Sequence, residues 1–204
     1  LDRRDFSVNA MAMVLGEASM DAGLIDFHKG SKDLELRELV FLHPGSVADD
    51  PTRVVRAARY AARLGFTLGS DGLAQVARGV QKWPWTWRSG DPANASPPAL
   101  STRFRMELEL LFAKEPWSHA LQFLEDWGAF PLLDPQLQND PRRMLRLRRA
   151  ARLGLPLLPA LLLGAGAPLE VAERLQLPLQ QIRWLEQVQE IFIWLGSGKS
   201  FLGV

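Results

Sequence analysis

The sequence predicts a mainly α fold, with a short α+β stretch over residues 1–47 followed by an all-α region. Three observations lead there. Residues 1–47 mix short polar and apolar runs. From Leu100 onward the apolar residues recur at helical spacing. Pro116, Pro141, Pro168 and Pro178 stand at the starts of those helical patterns, where a missing N–H costs least. The 204 residues, 47% hydrophobic and 23% charged, suit one medium globular domain or two small ones and make disorder, collagen or a coiled-coil rod poor descriptions of the whole.

In chain order, the pattern predicts a helix near Asp5–Leu15, a strand at Gly23–Phe27, a short helix near Lys32–Glu38 and a strand at Leu39–His43. Residues 48–66 read as a strong helix, with Asp49 or Asp50 as its cap and Pro51 in its first turn. The stretch 83–98, WPWTWRSGDPANASPP, carries four prolines and reads as a loop or lid. Its alternating Trp83, Trp85 and Trp87 suit a core cover better than stacking on an RNA end. Helices are then expected over 100–114, 117–128, 141–153, 157–164, 168–176 and 178–195. Trp184, Trp194, Leu185, Val188 and Ile191 read as ordinary core. The longest uncharged run, Leu153–Leu169, holds three prolines and is shorter than the roughly 20 residues that span a bilayer, so it reads as buried helix ends and turns.

Several chemistries are excluded. The chain has no cysteine, so disulfide scaffolds, Cys-liganded zinc and thiol catalysis are out. Its three histidines, His28, His43 and His119, form no H-E-x-x-H and no His-Asp pair. The chain opens on Leu1 within a run of charged residues and without a leader, which reads as a fragment with no signal peptide; a cytoplasmic location is the expectation. The formal charge is only +1, but arginine outnumbers lysine 19 to 5. Arginine suits bidentate contacts to phosphates and base edges, and a balanced total still hides local basic stripes.

The helix DPTRVVRAARYAARL, residues 50–64, is the most informative segment. At about 100° per residue, Arg53, Arg56, Arg59 and Arg63 share an arc of about 120°, opposite Val54, Ala57, Ala58, Ala61 and Ala62. Few acids lie nearby in the sequence, so a polyanion or a nucleotide triphosphate is one neutralising partner. A solvated face paired with carboxylates from elsewhere is the other. Asp50 and Arg53, three apart, place an acceptor and a forked donor on one side. Side by side they match the amine-bearing edges of cytosine and adenine and disfavour uracil and guanine. A helix-capping Asp with an i,i+3 ion pair is the simpler alternative.

The segment Arg3-Arg4-Asp5-Phe6-Ser7-Val8-Asn9-Ala10-Met11-Ala12 resembles the R-R-D-F-T-[IV]-N-A-x-A motif of the class II tRNA nucleotidyltransferase and bacterial poly(A) polymerase family. Three more segments follow in that family's order. Asp26-Phe27-His28-Lys29-Gly30-Ser31-Lys32-Asp33-Leu34 resembles its D-x-x-G-G-x-x-D-L hinge motif. The run Asp49 to Tyr60 resembles E-D-P-x-R-x-x-R-A-x-R-F, and Thr102 to Leu108 resembles E-R-I-x-x-E-L. The match is dense over 1–66, patchy to about residue 115 and unspecific beyond. The resemblance implies the C-terminal part of an α+β nucleotidyltransferase head over 1–47, a helical neck that recognises the base over 48–115, and a helical body over 116–204. It implies attack of a tRNA 3′-hydroxyl on the α-phosphate of CTP or ATP, assisted by Mg2+. Arg4, Asp5, Asp50, Arg53, Arg56 and Arg59 match its nucleotide-binding positions, with Asp50 and Arg53 as the base-reading pair. Asn9 matches a position that either fixes a turn or meets ligand.

Four departures stand out. Lys29 replaces the first hinge glycine, Asp49 and Thr102 each replace a glutamate, and no D-x-D metal pair occurs anywhere. The metal ligands are therefore expected outside this chain, with no catalytic residue inside it. Asp33-x-Glu35 and Glu107-x-Glu109 lie in helical patterns, where positions two apart diverge by about 200°. Gly196-Ser-Gly-Lys199-Ser200 echoes a phosphate loop but lacks its first glycine. Residues 141–153 carry six arginines and no acid, and Arg142, Arg146 and Arg149 recur on one face, which suits tRNA phosphates. The expected function is template-independent addition of C and/or A to the tRNA 3′ end, with CTP, ATP and tRNA as partners and neither a membrane nor a protein partner. A poly(A) polymerase of the same family and a non-catalytic RNA-binding module derived from it are the alternatives.

Overall fold

The computed structural model describes residues 4–14, 23–82 and 101–196. The end of the first expected helix at Leu15, the tryptophan-bearing stretch 83–98 and Ser197–Ser200 lie outside the described residues. Arg3 of the first motif does too.

The chain begins with a 3-10 turn at Ser7–Asn9 and a two-stranded antiparallel ladder, β1 (Ala12–Met13) with β2 (Leu24–Ile25). The helix expected near Asp5–Leu15 is not formed over its described part. Asn9 explains the difference: its Oδ1 accepts from the Phe6 N–H at 3.2 Å and closes a turn instead of continuing a helix. Backbone pairing then draws 5–7 onto 40–42, with Ser7 N–H donating to Val40 O at 3.0 Å and Leu42 N–H to Asp5 O at 3.3 Å. Between these bonds Phe6, fully buried, stacks on Phe41 with ring centres 5.3 Å apart. Helix α1 (Gly30–Leu36) follows a left-handed Lys29, and a one-turn α2 (Ser46–Asp49) precedes the long α3 (Thr52–Leu64). The strand expected at Leu39–His43 is reduced to β3 (Glu38–Leu39), parallel to β4 (Thr67–Leu68), plus a bridge at Phe41.

Helix α3 forms where the pattern predicts one, but the run is broken at Asp50–Pro51. The Asp50 Oδ1 accepts from Thr52 N–H at 3.1 Å and from Thr52 Oγ1 at 2.6 Å, so its carboxylate satisfies donors that the first turn leaves open. Gly65, left-handed at φ 68°, ends the helix. The alanine side predicted from spacing is the buried one: Val54, Ala57, Ala58 and Ala61 are all fully buried. Small side chains there let α3 lie against α5 (Thr102–Lys114) and α6 (Trp117–Asp126). Between them in sequence, α4 (Ser70–Lys82) packs on α2.

The remaining helices are α7 (Arg143–Arg152), α8 (Leu157–Leu162), α9 (Pro168–Arg174) and α10 (Leu179–Gly196). Each expected helix beyond residue 100 is found, within two residues of its expected start. The uncharged run forms α8 and its flanking turns, with Leu158, Leu161 and Leu162 buried. Among the described residues no helix is long and apolar enough to cross a membrane. One continuous cluster of buried apolar side chains runs from Phe6 through Phe104 and Leu121 to Leu185. It crosses both expected boundaries, at 47/48 and 115/116, because the alanine face of α3 packs on a helix that follows residue 116.

Candidate functional site

The site is built on the arginine side of α3 and on what surrounds it. Pairing of 5–7 with 40–42 holds Asp5 against the first two turns of α3. Its Oδ1 accepts from Arg53 Nε at 3.2 Å, and its Oδ2 lies 2.7 Å from Arg56 Nη2. Arg53 also donates from Nη1 to the Ser46 carbonyl at 3.1 Å and lies 3.3 Å from His43 Nε2. A guanidinium can only donate, so His43 Nε2 is the acceptor in that contact.

Farther along α3, Arg59 is almost wholly buried. It donates to Glu107 Oε2 and, from Nε, to Glu115 Oε1 at 3.3 Å. Glu115, whose side chain is fully buried, also receives Arg63 Nε at 2.9 Å. Burial pushes the Glu115 carboxyl up, but the hydrogen bond and charge of Arg63, with Arg59, outweigh it and hold the group below its ordinary value. Burial likewise works against the Arg56 charge, and Asp5, Tyr60 and Glu107 together overcome it. The carboxylates missing from the local sequence therefore come from residue 5 and from α5 and its end. The arginine side of α3 is thus paired with acids from distant segments. Thr102 replaces a glutamate in the fourth motif, yet a helix-to-helix ion pair still forms, through the second glutamate, Glu107.

The expected Asp50–Arg53 pair is not in contact. Arg53 turns to Asp5, while the Asp50 Oδ2 meets Arg103 of α5, and the Asp50 Oδ1 stays with Thr52. So the capping half of the simpler alternative is present, and its i,i+3 ion pair is not. Asp50 and Arg53 both remain at the surface edge, with side chains 14% and 15% exposed. Arg4 is exposed. A cavity of about 460 Å³ lies between Glu38–Pro44 and Gly69–Arg78; it includes His43 but neither Asp50 nor Arg53.

The hinge motif is tightly built. The Asp26 carboxylate accepts from Ser31 Oγ and N–H and from the Gly30 N–H, which holds its pKa below the ordinary value. Lys29 takes a left-handed φ of 59°. Gly30 lies so close to the first motif that a Cβ would stand 2.3 Å from the Ser7 carbonyl oxygen.

On α7 the three expected arginines part company. Arg142 and Arg149 are exposed. Arg146 instead turns inward, donating to Ala160 O at 2.6 Å, to Asp140 Oδ2 at 2.6 Å and to Leu161 O at 3.2 Å, and so closes the end of α8. Arg143 is buried over the Phe130 ring and donates to Leu137 O. Arg148 and Arg152 join the exposed side, which spacing alone had not singled out. Among the described residues no three His, Cys, Asp or Glu side chains group as a metal site.

The sequence reasoning missed Arg103, Glu107, Glu115, His43 and the Ser46 carbonyl. Arg103 and Glu107 had a signal, their places in the fourth motif. Glu115 meets α3 only because a distant segment packs there, and His43 and the Ser46 carbonyl meet Arg53 because the one-turn α2 folds back on it.

No protein-family model matches the chain. It is 39% identical over 133 residues to a CC-adding tRNA nucleotidyltransferase of Deinococcus radiodurans, covering 65% of this chain and 31% of that protein. It is 33% identical over 140 residues to a multifunctional CCA protein of Pasteurella multocida, covering 67% of this chain and 29% of that protein. A solved complex of a CCA-adding enzyme with CTP superposes with a TM-score of 0.70 at 25% identity, covering 93% of this chain and 46% of that one. A Thermotoga maritima CCA-adding enzyme bound to tRNA shares the fold, with a TM-score of 0.69 at 24% identity. The chain thus spans less than a third of the length of these two curated relatives and under half of these solved chains.

Proposed function

This chain belongs to the tRNA nucleotidyltransferase family, and from that premise we propose that it forms the base-selecting and RNA-holding portion of an enzyme that adds C and/or A to the tRNA 3′ end from CTP or ATP. One observation supports the reading above the rest. At the start of α3, a carboxylate and several guanidinium groups are gathered at the protein surface by three separate segments, 5–7, 43–56 and α5.

In this reading Asp50 and Arg53 read the base edge, and Arg56 with Arg4 meets the phosphates and ribose beside Asp5. An amine on cytosine or adenine gives Asp50 a donor; the carbonyl of uracil or guanine would set acceptor against acceptor. Arg53 must loosen from Asp5 to take part, and a triphosphate, itself an anion, is a competing partner for Arg53 and Arg56. Arg59, buried between Glu107 and Glu115, serves this site as a strut that holds α3 to α5. The exposed arginines of α7, Arg142 and Arg149, are the proposed tRNA contacts. Arg146 keeps their helix in place. The division into head, neck and body at 47/48 and 115/116 follows the motifs rather than the packing.

Nucleotidyltransferases generally use divalent metal, and Mg2+ is the ion proposed for this one. A cytoplasmic location belongs to the same reading.

Nucleotide addition tests the proposal: the full-length protein is incubated with tRNAs ending before CC and before A, and with CTP, ATP, UTP or GTP. Addition of C or A alone supports it. Tails of many A residues on unrelated RNAs would identify a poly(A) polymerase, and binding of tRNA without addition would favour a non-catalytic RNA-binding module.

A further inference from the structure

We propose that Arg103 is a positioning residue for base selection, holding the Asp50 carboxylate in the one rotation that leaves a free lone pair for an incoming base. This rests on the reading of Asp50 as the base-reading acceptor. It adds a residue from α5, 53 positions away, to the pair expected from α3.

The argument begins with lone pairs. A carboxylate oxygen accepts about two hydrogen bonds. The Asp50 Oδ1 already has two, from the Thr52 N–H at 3.1 Å and the Thr52 hydroxyl at 2.6 Å. A base amine must therefore be accepted at Oδ2, and Oδ2 is the oxygen that Arg103 holds. The Asp50 side chain is 14% exposed and Arg103 is 58% exposed, so the contact lies where solvent, and a ligand, reach it.

The donor next to Asp50 is thus Arg103 and not Arg53, whose Nε and Nη1 are turned to Asp5, Ser46 and His43. Without Arg103 the carboxylate is pinned at one oxygen only and is free to swing about it. With Arg103 both oxygens are fixed before the base arrives, which lowers the ordering cost of binding.

The start of α5, which carries Arg103, is anchored. Thr102 donates from its hydroxyl to Gln176 Oε1 at 2.6 Å, and Arg105 donates to the Gln176 carbonyl, so the start of α5 is gripped by the turn between α9 and α10.

Arginine-labelled protein observed by NMR tests the idea, with CTP and UTP titrated into the wild type, Arg103→Ala, Arg103→Lys and Asp50→Asn. In the wild type, CTP shifts the Arg103 side-chain signal and binds more tightly than UTP. The Arg103→Ala variant loses roughly 5–10-fold of that preference, and Arg103→Lys, which keeps the charge, recovers part of it. Equal weakening of CTP and UTP in Arg103→Ala would show a role in phosphate attraction only and would overturn the proposal. A CTP preference lost in Asp50→Asn but intact in Arg103→Ala would overturn it while leaving the reading of Asp50 standing. No preference in the wild type would overturn both. If Arg103→Ala unfolds, the Lys variant and the wild-type signal decide between the same outcomes.

Discussion

Arg59 and Glu115 meet across the contact between α3 and the end of α5, with the Arg59 Nε 3.3 Å from a carboxylate oxygen and the Glu115 side chain fully buried. Both charges lie out of water, so removing one leaves the other costly. Glu115→Gln is expected to lower stability by about 3 kcal/mol, at the lower end of such losses because Arg59 keeps Glu107. Urea unfolding of the two proteins measures the difference.

The same pair has a pH signature. The Glu115 pKa is depressed in the folded protein, so its contribution is present above the unfolded carboxylate value of about 4.3 and fades as pH falls through the lower folded value. Unfolding measured between pH 3 and 7 should show a smaller acid-side loss of stability in Glu115→Gln than in the wild type. Parallel curves would mean that Glu115 does not titrate in that window.

Neighbouring hinge positions should respond with opposite sign. Lys29 sits at φ 59°, where a side chain is strained and glycine is not, so Lys29→Gly is expected to stabilise by about 0.5–1 kcal/mol. Gly30→Ala would drive a Cβ to 2.3 Å from the Ser7 carbonyl oxygen, which is backbone and cannot swing aside. A loss of about 2 kcal/mol or more is expected there. Thermal melts of both variants check the pair.

Base discrimination should weaken when Arg53 is shortened. Arg53→Ala is expected to cost about 1–3 kcal/mol of preference for C and A over U and G. Because Arg53 also ties Asp5 to Ser46, part of the loss should appear as stability. Competition binding with the four nucleoside triphosphates, beside a melting curve, separates the two. Unchanged selection would remove Arg53 from base reading.

On α7 the structure divides one stripe into two roles. Replacing exposed Arg142 and Arg149 by Gln should reduce the salt dependence of tRNA binding by a slope of about 1–2. Arg146→Gln should leave that slope alone and lower the melting temperature, because its guanidinium closes the end of α8. Binding isotherms at several salt concentrations test both halves.

Local sequence was enough for the helices and for the two sides of α3, because a 3.6-residue period and small alanines act within a few residues of each other. It was enough for the motif order as well, which carries the family. It misplaced the first helix, where one side-chain bond from Asn9 to the Phe6 N–H outweighs periodicity. Spacing placed Asp50 beside Arg53 and put Arg146 with the surface arginines. Tertiary structure parted both, since long charged side chains choose among all partners within reach, and Asp5, Arg103 and the Ala160 carbonyl come into reach only when distant segments pack. Which arginines brace the fold is therefore decided largely by contacts between segments well separated in the chain, 14 residues for Arg146 and Ala160 and 56 for Arg59 and Glu115.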